Sequence, residues 1–306
     1  MEKEIYHIPA LLTESIDALN INACGSYVDA TFGGGGHSRA ILQRLGPAGH
    51  LYGFDRDIDA LQNAPDDSRF TFVHSDYRFI PNFLHYYGCD KVDGILADLG
   101  VSFHHFDSGE RGFSFREDAP LDMRMNQKGE RTAARIIADA SPEKLESIFR
   151  AYTDLKRPRL LVNAIVKARS VSPILTTSQL TDVLTPALSP KNLKKDLAQA
   201  FQALRIETND ELHSLQRLLL NSLSVLKPGG RFAIITYHSI EDRMVKNFFR
   251  SGNLEGKVEQ DFYGRVLTPW KQITRNPVVP SAEEIERNPR SRSAKLRVAE
   301  LIDDNN

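Results

Sequence analysis

The chain has 306 residues, 41% hydrophobic and 26% charged, a composition that supports a sizeable core and excludes collagen-like and disordered classes. Its two cysteines, Cys24 and Cys89, are too few for a disulfide framework or a four-thiolate metal site. Lys and Arg (39) nearly match Asp and Glu (40), so a polyanionic partner would have to meet a local basic patch rather than a global field.

The opening Met-Glu-Lys-Glu-Ile is acidic and has no apolar leader. No run approaches the roughly 20 apolar residues of a membrane span, so a cytoplasmic protein without a membrane partner is expected. Tyr27 to Thr31 then reads as a strand, followed by Gly33 to Gly36 and a helix from Ser38 to Leu45. Leu51 to Asp55 is a second strand, with a helix near Ile58 to Ala64; Phe70 to His74 is a third, and Val92 to Asp98 a fourth. Apolar strands spaced by helices predict an α/β fold with a parallel sheet and right-handed crossovers. From Thr132 to Leu188 the pattern is helical only, with Ser141-Pro142-Glu143 as a helix start and basic helical stretches beyond it. Leu212, Leu215, Leu219, Leu223 and Leu226 mark one long helix face, which Lys227-Pro228-Gly229-Gly230 should end. Arg231 to Tyr237 is a fifth strand and Leu296 to Leu301 a last one. A helical insertion within one sheet domain explains this order: a discontinuous core of residues 1–104 and 205–306, interrupted by a helical substrate-recognition domain at 105–204.

Glycines after a first strand let a ligand approach the backbone, and an acid about twenty residues on, here Asp55, can accept hydrogen bonds from ribose hydroxyls. Asp29 stands just before the glycines, where a dinucleotide pyrophosphate would be repelled and a cationic amino-acid group welcomed. That combination points to S-adenosylmethionine; the alternative is a plain turn. Tyr77 is a candidate to stack on the adenine and Asp76 to bind its amino group, or else a half-buried aromatic and a helix cap. Asp98 ends the fourth strand, facing the ligand crevice of an open α/β sheet. It could hold the cofactor's amino-acid end, the preferred reading, or act catalytically by positioning the hydrogens of an amine under methyl transfer. His104 and His105 have no third ligand nearby, and no metal is expected. His238, Ser239 and Arg243 gather donors and acceptors able to read a base edge and a phosphate, with Ser239 also a helix cap.

Two basic stretches suit a polyanion. Residues 150–169 carry Arg150, Lys156, Arg157, Arg159, Lys167 and Arg169 against Asp154 alone, and residues 287–297 carry Arg287, Arg290, Arg292, Lys295 and Arg297 with no acid. Solvated helix faces are the alternative.

These residues together resemble the bacterial 16S rRNA cytosine-N4 methyltransferase family (RsmH, formerly MraW), nearly end to end. The resemblance rests on His7-Ile8-Pro9-Ala10-Leu11-Leu12, Asp29 to His37 and Asp55-Arg56-Asp57, then on Arg111-Gly112-Phe113-Ser114-Phe115 and Pro120-Leu121-Asp122-Met123-Arg124-Met125. It continues through Phe201 to Ile206, His238 to Arg243 and Asn288 to Ser293. It implies a class I S-adenosylmethionine-dependent methyltransferase sheet (Rossmann-like) with an inserted helical domain. It also implies transfer of a methyl group to N4 of a cytidine in the decoding region of 16S rRNA. The cofactor contacts carried over are Gly35, Gly36, His37, Asp55, Tyr77 and Asp98. One departure is Val101-Ser102-Phe103-His104-His105 where many relatives read Val-Ser-Ser-Pro-Gln, which puts His105 on the position of a contacting Gln. Arg157, Arg159, Arg290 and Arg292 are the expected RNA contacts, the partner being 16S rRNA within the small ribosomal subunit; the sequence leaves room for a homodimer. A DNA amino-methylase is disfavoured because the fourth strand lacks the Pro-Pro-aromatic ending of such enzymes. A non-catalytic assembly factor is disfavoured by the intact glycines, Asp55 and Asp98.

Overall fold

The computed structural model describes residues 9–100 and 111–303. The chain divides into two compact units, Met1–Gly100 with His213–Asn306, and Val101–Leu212.

In the first unit the described strands form one sheet: β1 (Ser26–Asp29), β2 (His50–Asp55), β3 (Phe70–His74), β4 (Val92–Asp98), β5 (Leu226–Thr236), β6 (Trp270–Gln272) and β7 (Lys295–Leu301), in the order β3-β2-β1-β4-β5-β7-β6. The first five run parallel, whereas β7 is antiparallel to both β5 and β6. This is the Rossmann-like class I methyltransferase sheet. The parallel order expected of the early strands is found, and the last strand, β7, to which the sequence assigned no direction, runs antiparallel. Interior strands read as near-continuous apolar runs because both faces are covered; in β4 only Asp93 and Asp98 escape full burial.

Helices α1 (Leu12–Leu19), α2 (Gly36–Arg44) and α3 (Ile80–Tyr86) belong to this unit. So does most of a long helix, Glu211–Val225, whose buried stripe is Ser214, Leu215, Leu218, Leu219, Ser222 and Val225. The expected leucine face is therefore rotated, with Leu223 only half-buried and Leu226 opening β5. Lys227-Pro228-Gly229-Gly230 does not form a loop. It lies within β5, exposed up to Gly229, and a register shift between Val92 and Gly94 absorbs it as a bulge. The chain reverses direction from β3 back to β4 beside β1, so β1 and β4 flank the switch point, where such sheets bind ligands at the carboxyl ends of their strands.

The second unit is helical: α4 (Ala133–Asp139), α5 (Pro142–Tyr152), α6 (Pro158–Arg169), α7 (Thr177–Leu184) and α8 (Leu193–Asn209), after which the long helix of the first unit is α9 and Ser239–Ser251 is α10. Its core includes Phe113, Leu121, Phe149, Ile165, Leu180, Phe201 and Leu204. Ser141 caps α5, accepting from Lys144 N–H at 3.2 Å, with Pro142 and Glu143 in the first turn as their sequence predicts. The junction expected at residue 204 falls inside α8, which runs unbroken to Asn209, so the unit ends later. Asn209 explains part of the Leu-Asp-Met-Arg-Met run. Its amide donates to Met123 O (2.8 Å) and accepts from Met125 N–H (2.8 Å), clamping Met123 at φ 59, a left-handed backbone that a methionine rarely adopts.

Candidate functional site

Three acids end adjacent strands: Asp29 on β1, Asp55 on β2 and Asp98 on β4. Asp29 is buried, and its carboxylate accepts from Ser38 Oγ (2.6 Å) and Thr31 N–H (3.1 Å). Burial, opposed by those bonds and helped by nearby Asp55, pushes its pKa up to about 6. Asp98 presents its backbone N–H to Thr31 Oγ1 at 2.6 Å. Its side chain is 21% exposed, yet Oδ1 is buried without a hydrogen-bond partner among the described residues. Burial raises its pKa to about 7 although the Tyr237 hydroxyl bonds it, and repulsion from Asp29 and Glu241 adds to the rise. Tyr237 is in turn pushed well above its ordinary value by burial and by the Asp98 charge. Neither Asp29 nor Asp98 has a Lys or Arg partner among the described residues. Buried carboxylates without a compensating cation form a receptor for a cationic ligand group.

The glycine loop sits against these acids, and its glycines do different work. Gly33 (φ 49) donates its N–H to Asp55 Oδ2 at 2.8 Å, and a Cβ there would meet nothing nearer than Thr31 O at 3.9 Å, so a ligand can approach this residue. Gly35 (φ 71) supplies the left-handed entry to α2. At Gly36 a Cβ would lie 2.2 Å from Pro9 Cγ. Its lack of a side chain answers the chain's own packing rather than a ligand, which corrects the uniform reading of these glycines. His37 is buried, and burial lowers its pKa to about 4, so it stands as a neutral imidazole with Nδ1 3.9 Å from Asp98 Oδ2 and Nε2 without a partner among the described residues. Asp55 also accepts from Asp57 N–H at 2.8 Å and thus ties the loop after β2 to the glycine loop.

After β3, Asp76 proves to be a structural group. It accepts from Arg78 N–H (2.9 Å), pairs with Arg56 (2.7 Å) and Arg78 (2.9 Å), and accepts from Ser214 Oγ (3.2 Å). Burial works to raise its pKa, but the two guanidinium groups outweigh it and hold the carboxylate ionised. The proposed bond to an adenine amino group is thus replaced by an ion-pair cluster. Tyr77 is half-buried against the sheet core, with the Arg56 guanidinium 5.6 Å from its ring centre.

After β5, Tyr237 N–H donates to Glu241 Oε2 at 3.1 Å. His238, not Ser239, caps α10: its extended backbone lies outside the helix and Nδ1 accepts from Glu241 N–H at 3.4 Å, while Ser239 is already the first helical residue. Nε2 of His238 is 2.9 Å from Glu241 Oε1. Arg243 is exposed on α10.

The basic stretches come apart in three dimensions. Arg150 and Arg159 both pair with Glu146, at 2.6 and 3.0 Å, and Arg169 donates to Ile137 O and Ala140 O, closing the end of α4. Lys156, Arg157 and Lys167 remain exposed. In the second stretch Arg297 is buried on β7 and pairs with Asp242 at 2.7 Å, joined by Lys295 at 3.5 Å. Asp242, invisible to a charge count along residues 287–297, engages both. Arg290 and Arg292 are exposed. His105 lies outside the described residues. Among those described, no group of three or more His, Cys, Asp or Glu could hold a metal ion, and no helix is long and apolar enough to cross a membrane.

Sequence reasoning placed Tyr237 only within the run to Arg243 that could read a base and a phosphate, not against Asp98, and it missed the pairing of Arg56 with Asp76, though a cation directly after Asp55 was a readable signal. The chain matches the MraW methylase family over residues 4–302. It is 56% identical over 298 residues to Ribosomal RNA small subunit methyltransferase H of Phocaeicola vulgatus, covering 97% of this chain and 98% of that protein. Proteins of the same name from Parabacteroides distasonis (55% identity, 97% and 98% covered) and Porphyromonas gingivalis (53%, 98% and 98%) are similarly alike.

Proposed function

This chain belongs to the MraW methylase family, and on that premise we propose that it methylates the exocyclic N4 of a cytidine in the decoding region of 16S rRNA, within the small ribosomal subunit and in the cytoplasm. The observation that carries the reading is a pair of carboxylates without cation partners among the described residues, Asp29 buried and Asp98 partly so with Oδ1 buried, beside a glycine loop with one open face at Gly33. S-adenosylmethionine is the cofactor; when bound it supplies a methyl group on a sulfonium together with a cationic ammonium. Asp29 and Asp98 hold that positive end, where an uncompensated acid attracts it most strongly. Asp55 accepts from the ribose hydroxyls while anchoring the loop, Gly35 and Gly36 shape the loop, neutral His37 lines it, and Tyr77 supports the adenine.

Asp98 has a second task. With Oδ1 unpartnered and a pKa near neutrality, it can accept a hydrogen bond from the target amine and so direct the nitrogen lone pair at the methyl group. Tyr237 fixes the orientation of that carboxylate. On the RNA side, His238, Ser239 and Arg243 at the head of α10, exposed Arg157, and Arg290 and Arg292 are the contacts, with Arg159 weakened in that role by Glu146. His105 is the remaining proposed cofactor contact. Mass-spectrometric mapping of 16S rRNA from cells lacking this protein tests the reading. One cytidine should lose a methyl group, wild-type protein should restore it, and Asp98→Asn should not. An unchanged methylation map overturns the proposal.

A further inference from the structure

Between α10 and β6 the chain builds a small hairpin that the sheet does not need. Leu267 N–H donates to Glu259 O (2.8 Å), Asp261 N–H to Arg265 O (2.9 Å), and Gln260 and Val266 form an antiparallel bridge. The tip, Phe262-Tyr263-Gly264, is a tight turn closed by Gly264 N–H on Asp261 O (3.0 Å), with Gly264 at φ 80. The Asp261 carboxylate locks it further, Oδ1 accepting from both Tyr263 and Arg265 N–H at 2.8 Å. This fixed turn carries two aromatic side chains into water: Phe262 is 98% exposed and Tyr263 82%, their rings 5.7 Å apart and crossed at 86°.

Neither ring contributes to the core, and large exposed apolar groups on a rigid support mark a contact surface. The identity of the partner follows from size and shape. Two aromatic side chains offer at most about 500 Å², below the roughly 800 Å² that each partner of a standard protein–protein contact contributes. Crossed rings with open faces suit flat partners taken up one at a time. Lys257 and Arg265 on the hairpin are outnumbered by Glu255, Glu259 and Asp261, so attraction has to come from the ring faces rather than from net charge. We propose that Phe262 and Tyr263 form a stacking platform for unstacked bases of the RNA substrate. The proposal rests on the reading that this chain acts on RNA, and it adds a recognition element apart from the basic side chains already assigned.

The test compares wild type with Phe262→Ala/Tyr263→Ala, Phe262→Trp/Tyr263→Trp and Phe262→Leu/Tyr263→Leu, using small ribosomal subunits purified from cells lacking this protein. The Ala pair should keep its thermal stability and its S-adenosylmethionine affinity while losing about tenfold to a hundredfold in affinity for the subunit. The Trp pair should bind like wild type, and the Leu pair should resemble the Ala pair. Wild-type affinity in the Ala pair overturns the platform, as does full binding by the Leu pair, which would signify an apolar protein contact. A change from dimer to monomer on Ala substitution, read by solution mass, would place the rings against a second copy and overturn it equally. If wild type itself neither binds nor methylates the subunit, the functional reading fails and the platform with it, an outcome visible before any variant is made.

Discussion

Asp98 in the sheet unit and Glu207 in the helical unit are both acids removed from water, and the fold treats them in opposite ways. Glu207, 7% exposed, receives Arg131, Lys144 at 3.0 Å and the Tyr152 hydroxyl at 3.2 Å. Burial works to raise its pKa, and the two cations more than cancel that and hold it below the ordinary value. Asp98 receives a tyrosine hydroxyl and a distant neutral imidazole, and keeps one oxygen without a partner. Completing the bonds of a buried charge makes it structural; leaving them incomplete stores attraction for something that arrives later. The contrast separates acids whose charges are settled, Glu207 and likewise Asp76, from a site whose charges are not.

The largest effect should come from undoing the settled case. Arg131→Met with Lys144→Met leaves Glu207 buried with only Tyr152, and stability should fall by about 3–5 kcal/mol at pH 8. Urea denaturation measures it, and the loss should shrink at pH 5, where Glu207 can take up a proton. An undiminished stability would mean that burial of Glu207 needs no cation, and the contrast would collapse. Next in size is Asp55→Ala, which removes the charged acceptor for the ribose hydroxyls and should weaken S-adenosylmethionine binding by about 1.5–3 kcal/mol in calorimetry. Because Asp55 also secures Gly33 N–H, Asp55→Asn should recover part of the loss by restoring an acceptor to the loop.

Strand-end acids and the glycine loop were legible because they depend on chain order: a strand, a turn, then a helix fix what stands at the carboxyl edge of the sheet. The helix-cap alternative for Asp76 is the one found, although part of its cluster is distant in sequence, and Arg297 was misread because its partner is distant too. Ser214 lies 138 residues from Asp76, and Asp242 lies 55 residues from Arg297. A count of charges along residues 287–297 sees five cations. It cannot see that β7 turns Arg297 inward, where burial requires an acid. β6 escaped notice because three residues with one buried tryptophan carry no periodicity. The cap of α10 was assigned to Ser239 on propensity, which could not show that the imidazole of His238 would take that place.

A smaller effect, opposite in sign for stability and for binding, sharpens the comparison through pH. The folded-state pKa of Asp98, about 7, lies above its ordinary value of 3.8, so the folded chain keeps a proton that the unfolded chain has released. Stability should therefore fall as pH rises between those values, with the cost complete above about pH 7 and absent below 3.8. Asp98→Asn, which cannot ionise, should be more stable than wild type by about 1–2 kcal/mol at pH 8, a figure reduced for partial exposure, and equal to it near pH 4. Cofactor affinity should run the other way, strengthening with pH in wild type as Asp29 and Asp98 ionise and keeping only the Asp29 part of that dependence, near pH 6, in the variant. Parallel melting curves and titrations from pH 5 to 8 check both trends. A variant no more stable than wild type at pH 8 would show that Asp98 is already compensated.

The smallest expected effect concerns cations left over once the paired ones are set aside. Lys156 and Arg157 stand exposed ahead of α6, whereas Arg150 and Arg159 share Glu146, and Arg169 is committed to backbone carbonyls. If the scaffold's settled charges are structural, only the unpaired ones should meet phosphate. Lys156→Ala with Arg157→Ala should lower affinity for the small subunit and reduce the slope of log affinity against log salt by roughly 0.7–0.9 per lost contact. Arg159→Ala should change that slope less, since its guanidinium must leave Glu146 before it can serve RNA. Cofactor affinity should stay constant throughout, because none of these side chains takes part in the glycine loop or its acids. Filter binding across a salt series measures the slopes, and equal slopes for the paired and unpaired variants would show that pairing in the free protein does not predict which cations RNA recruits.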